Sequence, residues 1–160
     1  MTSPARLVTD GDTRIIITRT LAARPALVFR AHTDPALIQR WMLGPDGWTM
    51  PLCQSDPRPG GTFRFEWTNG QGHSFHATGE YLELVAPNRI VHIERMFLPD
   101  PTPDSHVETR FDPDGTGTRL TLIMTLPDAE ARAAVLASGM EDGMEDSYAR
   151  LDTVLGAADG

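Results

Sequence analysis

The order of patterns along this chain predicts an α+β fold. A curved antiparallel sheet of about six to seven strands wraps on a long C-terminal helix, and two short helices follow the first strand. Three observations predict it. TRIIITRT at 13–20 is rich in β-branched residues and is followed by two proline-opened helical segments. Between 48 and 126, apolar–polar alternation recurs between turn signals. From 128 to about 155, apolar residues return at three- and four-residue steps.

Each element has a local reason. Residues 1–12 are polar and read as a flexible tail ahead of a single domain spanning 13–156. Pro25 opens the first short helix, with Ala26, Val28 and Phe29 as its apolar surface. Asp34-Pro35 starts the second: Asp accepts from free amides as N-cap, and Pro suits the first helical position. That helix ends near Trp41, before Gly44-Pro45. Strands follow at 48–55, 63–67, 74–85, 89–97, 106–111 and 118–126. Asp56-Pro57-Arg58-Pro59-Gly60-Gly61, Asn69-Gly70, Pro87-Asn88 and Asp112-Pro113-Asp114-Gly115 supply the turns. Residues 98–103, with three prolines, form an exposed loop. Short turns between consecutive strands imply an antiparallel meander, which must bury one face. Asp128 caps the last helix, whose stripe is Leu136, Met140, Met144, Tyr148, Leu151 and Leu155. Gly139 and Gly143 weaken that helix by about 1 kcal/mol each relative to Ala. Glu141, Asp142, Glu145 and Asp146 read as a solvated helix face.

Composition narrows the function classes. A chain of 160 residues buries roughly 70% of its unfolded surface, enough for a core without staples. The net charge of -8 argues against nucleic acid, which needs a basic surface. All 14 basic residues are Arg, so no Schiff-base or phosphate-loop lysine exists. Cys53 stands alone, which excludes an internal disulfide and a multi-cysteine metal site. Its apolar setting, Met50-Pro51-Leu52-Cys53, makes it a small buried hydrophobe. No apolar run reaches the roughly 20 residues of a membrane span, and the N-terminus has no apolar signal core. A cytoplasmic location is expected.

Chemical motifs are few. His73 and His76 lie three apart on a strand, which points them to opposite faces, and no supporting ligand is suitably spaced. No metal, cofactor or catalytic residue is implied. His76, Glu80, His92, Glu94 and Arg95 read as the solvent side of a one-sided sheet. Across the Pro87-Asn88 turn, Glu80 pairs with Arg95 and Tyr81 with Glu94 in the simplest register. The alternative turns His92 and Glu94 inward as polar anchors of a pocket, or as an acid–base pair.

Several segments carry a resemblance. They are Ala-x-Pro-x-x-Val-Phe at 23–29, Thr33-Asp34-Pro35 leading to Trp41, and Asp-x-Arg-x-Gly-Gly at 56–61. Gly79-Glu80-Tyr81-Leu82-Glu83-Leu84, Pro87-Asn88-Arg89-Ile90-Val91 and Gly117-Thr118-Arg119-Leu120-Thr121-Leu122 complete the set. In order and spacing the chain resembles the START-like helix-grip superfamily, also called SRPBCC. Within it, the chain is similar to the activator of heat-shock protein 90 ATPase homologue group. Two departures stand out: His92-Ile93-Glu94-Arg95-Met96 replaces an aromatic-rich stretch, and Gly139-Met140 and Gly143-Met144 replace Gly-Trp.

The resemblance implies a small hydrophobic or aromatic molecule held between sheet and C-terminal helix. The cavity candidates are Trp41, Trp48, Phe63, Phe65, Trp67, Phe75, Tyr81, His92, Glu94, Met96, Met124, Met140, Met144 and Tyr148. Trp41 and Trp48, beside the Gly44–Gly47 loop, are candidates for a ligand gate. The same residues also read as ordinary filled core. Two other functions remain open: a chaperone ATPase-regulating module, and an enzyme resembling polyketide cyclases or related hydrolases. The oligomeric state is open.

Overall fold

The computed structural model describes residues 3–98 and 100–159. Eight strands form one antiparallel sheet: β1 (Ser3–Asp10), β2 (Arg14–Leu21), β3 (Thr49–Ser55), β4 (Thr62–Thr68), β5 (Ser74–Val85), β6 (Arg89–Phe97), β7 (Ser105–Asp114) and β8 (Gly117–Thr125). Their spatial order is β1-β2-β8-β7-β6-β5-β4-β3. Helices α1 (Pro25–Thr33) and α2 (Pro35–Trp41) connect β2 to β3, and α3 (Ala129–Ala137) and α4 (Met140–Asp159) close the chain.

Period-2 alternation sets the buried face. Ile15, Ile17 and Leu21 of β2, Phe63, Phe65 and Trp67 of β4, and Leu120, Leu122 and Met124 of β8 point inward. Opposite them, α4 buries Tyr148, Leu151, Val154 and Leu155. Asp34 caps α2 through Ala36 N at 3.0 Å, and Asp128 caps α3 through Ala131 N at 2.7 Å.

Four expectations are corrected. Residues 3–10 of the expected tail form β1; Met1 and Thr2 lie outside the described residues, as does Pro99 of the 98–103 loop. β1 pairs with β2 along its length, and α4 draws it in: Glu145 Oε1 accepts from Ala5 N at 2.6 Å, Glu141 Oε2 from Leu7 N at 3.2 Å. The solvated acidic face is therefore only half right, because two of its four carboxylates hold β1.

The long C-terminal helix is α4, and the helical run expected from 128 breaks before it, leaving α3 as a separate helix. Gly139 sits at φ +79, which ends one helical run and redirects the next. The β5–β6 register also differs. A bulge between Tyr81 and Glu83 sets Glu80 against Ile93 and Tyr81 against His92.

Candidate functional site

The site grows from the placement of α4. At one end of the sheet, β2 carries Arg19 among its inward positions, 5% exposed. Its guanidinium donates to Glu145 Oε1 at 2.9 Å and to Asp152 Oδ2 at 3.3 Å, both on α4. Asp152 Oδ1 also accepts from Ala22 N at 3.0 Å. These bonds fasten α4 over β1 and β2. A buried cation needs such partners, because desolvation otherwise opposes its charge.

Over the middle strands, α4 leaves a cavity of about 230 Å³. Its floor is Phe63, Phe65 and Trp67 of β4, Ala77 and Tyr81 of β5, and Ile90, His92, Glu94 and Met96 of β6. Val107 and Thr109 of β7 and Leu122 and Met124 of β8 complete it. The roof is Met144, Ser147 and Tyr148, and the inner end is His32, Trp41 and Met42. Gly79 lets the floor pack. A Cβ there would collide with the Phe63 ring and with the Ile93 carbonyl oxygen, so Phe63 lies directly over a bare backbone.

His92 and Glu94 face inward, against the solvent-side reading. Alternation puts them in register with Ile90 and Met96 on the cavity side of β6. His92 Nε2 lies 2.7 Å from Glu94 Oε1, and the Phe63 ring meets the His92 ring edge-on at 5.3 Å.

Other polar groups open on the same space. Tyr148 is 1% exposed and Thr109 4% exposed. Neither hydroxyl has a hydrogen-bond partner among the described residues, and neither is sealed from the cavity. Burial pushes the Tyr148 phenol well above its usual range, so it stays protonated and able to donate. Burial likewise holds the His32 imidazole down at about 4, with Val28 opposing and His92 assisting. His32 Nδ1 lies 2.8 Å from the Val28 carbonyl, so Nδ1 carries the proton and Nε2 is an acceptor.

Of the fourteen cavity candidates, eleven line this space. Trp48, Phe75 and Met140 instead line an adjoining apolar groove of about 420 Å³, which shares Met42, Trp67, Met96, Met144 and Ser147 with the cavity. Trp41 is no gate. It is 2% exposed, donates from Nε1 to the Ala31 carbonyl at 2.9 Å and stacks on Tyr148 at 6.0 Å. The loop after it is strapped down: Arg150 reaches the Trp41 and Gly44 carbonyls, each at 3.1 Å, and Ser147 Oγ accepts from Gly44 N. Sequence reasoning missed His32, Thr109 and Ser147. Their only signal was a polar residue in an otherwise apolar pattern.

The remaining surroundings offer less chemistry. Burial raises the Cys53 thiol to about 11, with Asp34 adding to it, which keeps it from acting as a thiolate nucleophile. A wider groove of about 540 Å³ on the outer sheet face is open to solvent, and its Arg95 is already paired with Asp104 at 2.7 Å. Among the described residues, no group of three His, Cys, Asp or Glu side chains is placed to hold a metal ion. Among them, too, no helix is long and apolar enough to cross a membrane.

An open antiparallel sheet closed by a C-terminal helix, with a cavity between them, defines a helix-grip protein. The model of the family described as activator of Hsp90 ATPase homolog 1-like protein matches residues 22–156, and the chain belongs to that family. The fold supports a ligand-binding or regulatory module in general. A crystal structure of a protein from Rhodobacter sphaeroides is 32% identical, with a TM-score of 0.91, covering 97% of this chain and 99% of that one. A Mycobacterium smegmatis protein is similar at 25% identity and TM-score 0.84, covering 95% and 97%. One from Chromobacterium violaceum is similar at 26% and 0.75, covering 88% and 96%. No curated protein matches the chain.

Proposed function

We propose that this protein binds a small, largely apolar molecule in the cavity between the sheet and α4. One observation carries the reading: Tyr148 and Thr109 are more than nine-tenths buried, and their hydroxyls open on the cavity with no hydrogen-bond partner among the described residues. Aligned on one cavity, such groups are the few placed polar atoms that orient a ligand in an apolar pocket. A cytoplasmic setting goes with this reading, since it keeps the single thiol of Cys53 reduced. Native mass spectrometry of freshly purified protein tests it. A co-purifying mass that is lost on denaturation is expected. Protein that carries no such mass and takes up no small aromatic probe would sink the proposal.

The His92–Glu94 contact favours a second reading, an enzyme of the polyketide cyclase or hydrolase type. A carboxylate beside an imidazole is a competent acid–base pair. His92→Phe and Glu94→Gln would then abolish turnover with folding intact, and turnover that survives both removes the idea. The family description also raises chaperone regulation. An ATPase assay with the chaperone decides it, and an unchanged rate at saturating protein excludes it.

A further inference from the structure

The chemistry and size of the cavity narrow what it can hold, given the binding reading above. Two of its free polar atoms, on Glu94 and His32, are read as acceptors. Glu94 Oε2 has no partner among the described residues, and Glu94 Oε1 is engaged by His92. His32 Nε2 is an acceptor because Nδ1 spends its proton on Val28. The Tyr148 and Thr109 hydroxyls can turn either way.

Among the described residues, no arginine lines the space. Arg19 is held by Glu145 and Asp152, and Arg150 by backbone carbonyls and Asp46. Glu94 presents its carboxyl group to this space, so a bound carboxylate would lie against another acceptor with no guanidinium to pair with, in a setting where like charges repel strongly.

Volume sets the second limit. A cavity of about 150 Å³ holds a single benzene ring, and drug-sized pockets begin near about 300 Å³. At about 230 Å³ this one lies between them. Its walls are flat rings: Phe63 and Phe65 stack at 4.9 Å, and Trp41 and Tyr148 at 6.0 Å. Such walls suit an aromatic guest.

We infer that the cavity takes a one- or two-ring aromatic molecule bearing a hydrogen-bond donor, as in a phenol or aryl amine, and rejects aromatic carboxylates and larger ring systems. The donor lies against Glu94, and the rings lie among Phe63, Phe65 and Trp67.

Four probes test this on the full chain: 2-naphthol, 2-fluoronaphthalene, 2-naphthoate and 1-hydroxypyrene. Carbon-13 methyl NMR reports on the cavity through Met124, and the Met42, Met96 and Met144 methyls, which also face the adjoining groove, count only where Met124 moves with them. 2-Naphthol is expected to shift these methyls with an affinity at least about tenfold above the fluoro and carboxylate analogues. 1-Hydroxypyrene is expected to leave them unmoved. Glu94→Gln keeps an acceptor but removes the charge, and should raise 2-naphthoate affinity by about tenfold. Equal binding of naphthol and naphthoate overturns the charge argument. Equal binding of naphthol and fluoronaphthalene overturns the donor argument, and a response to hydroxypyrene overturns the size limit. In each case the cavity still binds. If no probe moves the methyls, the binding reading itself fails. Should Glu94→Gln not fold, the ranking on the unaltered protein decides alone.

Discussion

At the residue scale, His32 is the group with most to reveal. It packs on Trp41 at 4.8 Å and on Phe111 at 4.9 Å, and burial holds its imidazole neutral down to about pH 4. The unfolded residue takes its proton near 6.5. Between those values the unfolded chain binds more protons, so stability rises with pH and is lost as the solution is acidified from 6.5 to 4. The full effect is about 3 kcal/mol. Urea midpoints at pH 7.5 and 4.5 should fall further for the unaltered protein than for His32→Phe. Equal falls would clear His32 of the effect. Gly79 is the second informative residue. Gly79→Ala places a methyl against both the Phe63 ring and the Ile93 carbonyl, and only the ring can move. A loss of about 3 kcal/mol is expected by chemical denaturation, at the upper end for overpacking.

At the element scale, the question is what holds α4 off the middle of the sheet. Its anchors lie at one end: Arg19 of β2 with Glu145 and Asp152, and the amides of β1 with Glu141 and Glu145. Arg19→Ala strips two carboxylates of their cationic partner and leaves them their backbone amides. The expected cost is about 2 kcal/mol, below that of a fully sealed pair because both carboxylates keep some contact with water. Amide hydrogen exchange should accelerate in β1 and the first half of α4 together. Acceleration confined to β2 would show that the ion pairs do not join these elements. The break at Gly139 belongs to the same scale. It lets α3 end and α4 start on a new line, with Met140 and Met144 turned to the groove beside Trp48 and Phe75.

At the scale of the whole molecule, the cavity is a cost in stability. Lining atoms that face a void lose their contacts, by about 24 cal/mol for each Å³ left empty. Ala77 sits on the floor between Phe65 and Met96, with its side chain in the void. Ala77→Leu fills part of that space and should stabilise the protein by about 1 kcal/mol, a rise of about 2–4 °C in melting temperature. The same change should abolish the response to 2-naphthol. A stabilised variant that still binds would place the ligand elsewhere.

The sequence alone determined most of the architecture. Local signals mark the strands from β2 to β8, the capped starts of α2 and α3, and the family motifs, because each depends on neighbours a few positions away. The apolar floor was legible too, since Phe63, Phe65 and Trp67 alternate along one strand. What only the tertiary structure decided depends on contacts between distant residues. β1 looked like a tail because its residues are mostly polar and the α4 carboxylates that hold its amides lie more than a hundred residues away, although its hairpin partner β2 is the next strand. His92 and Glu94 could face either way, since a period-2 pattern of polar residues names two faces without saying which is inside. The bulge after Tyr81 and the packing against Phe63 settle it. Whether the interior is filled or hollow rests on where α4 is fastened, and that is set by Arg19, more than a hundred residues before its partners.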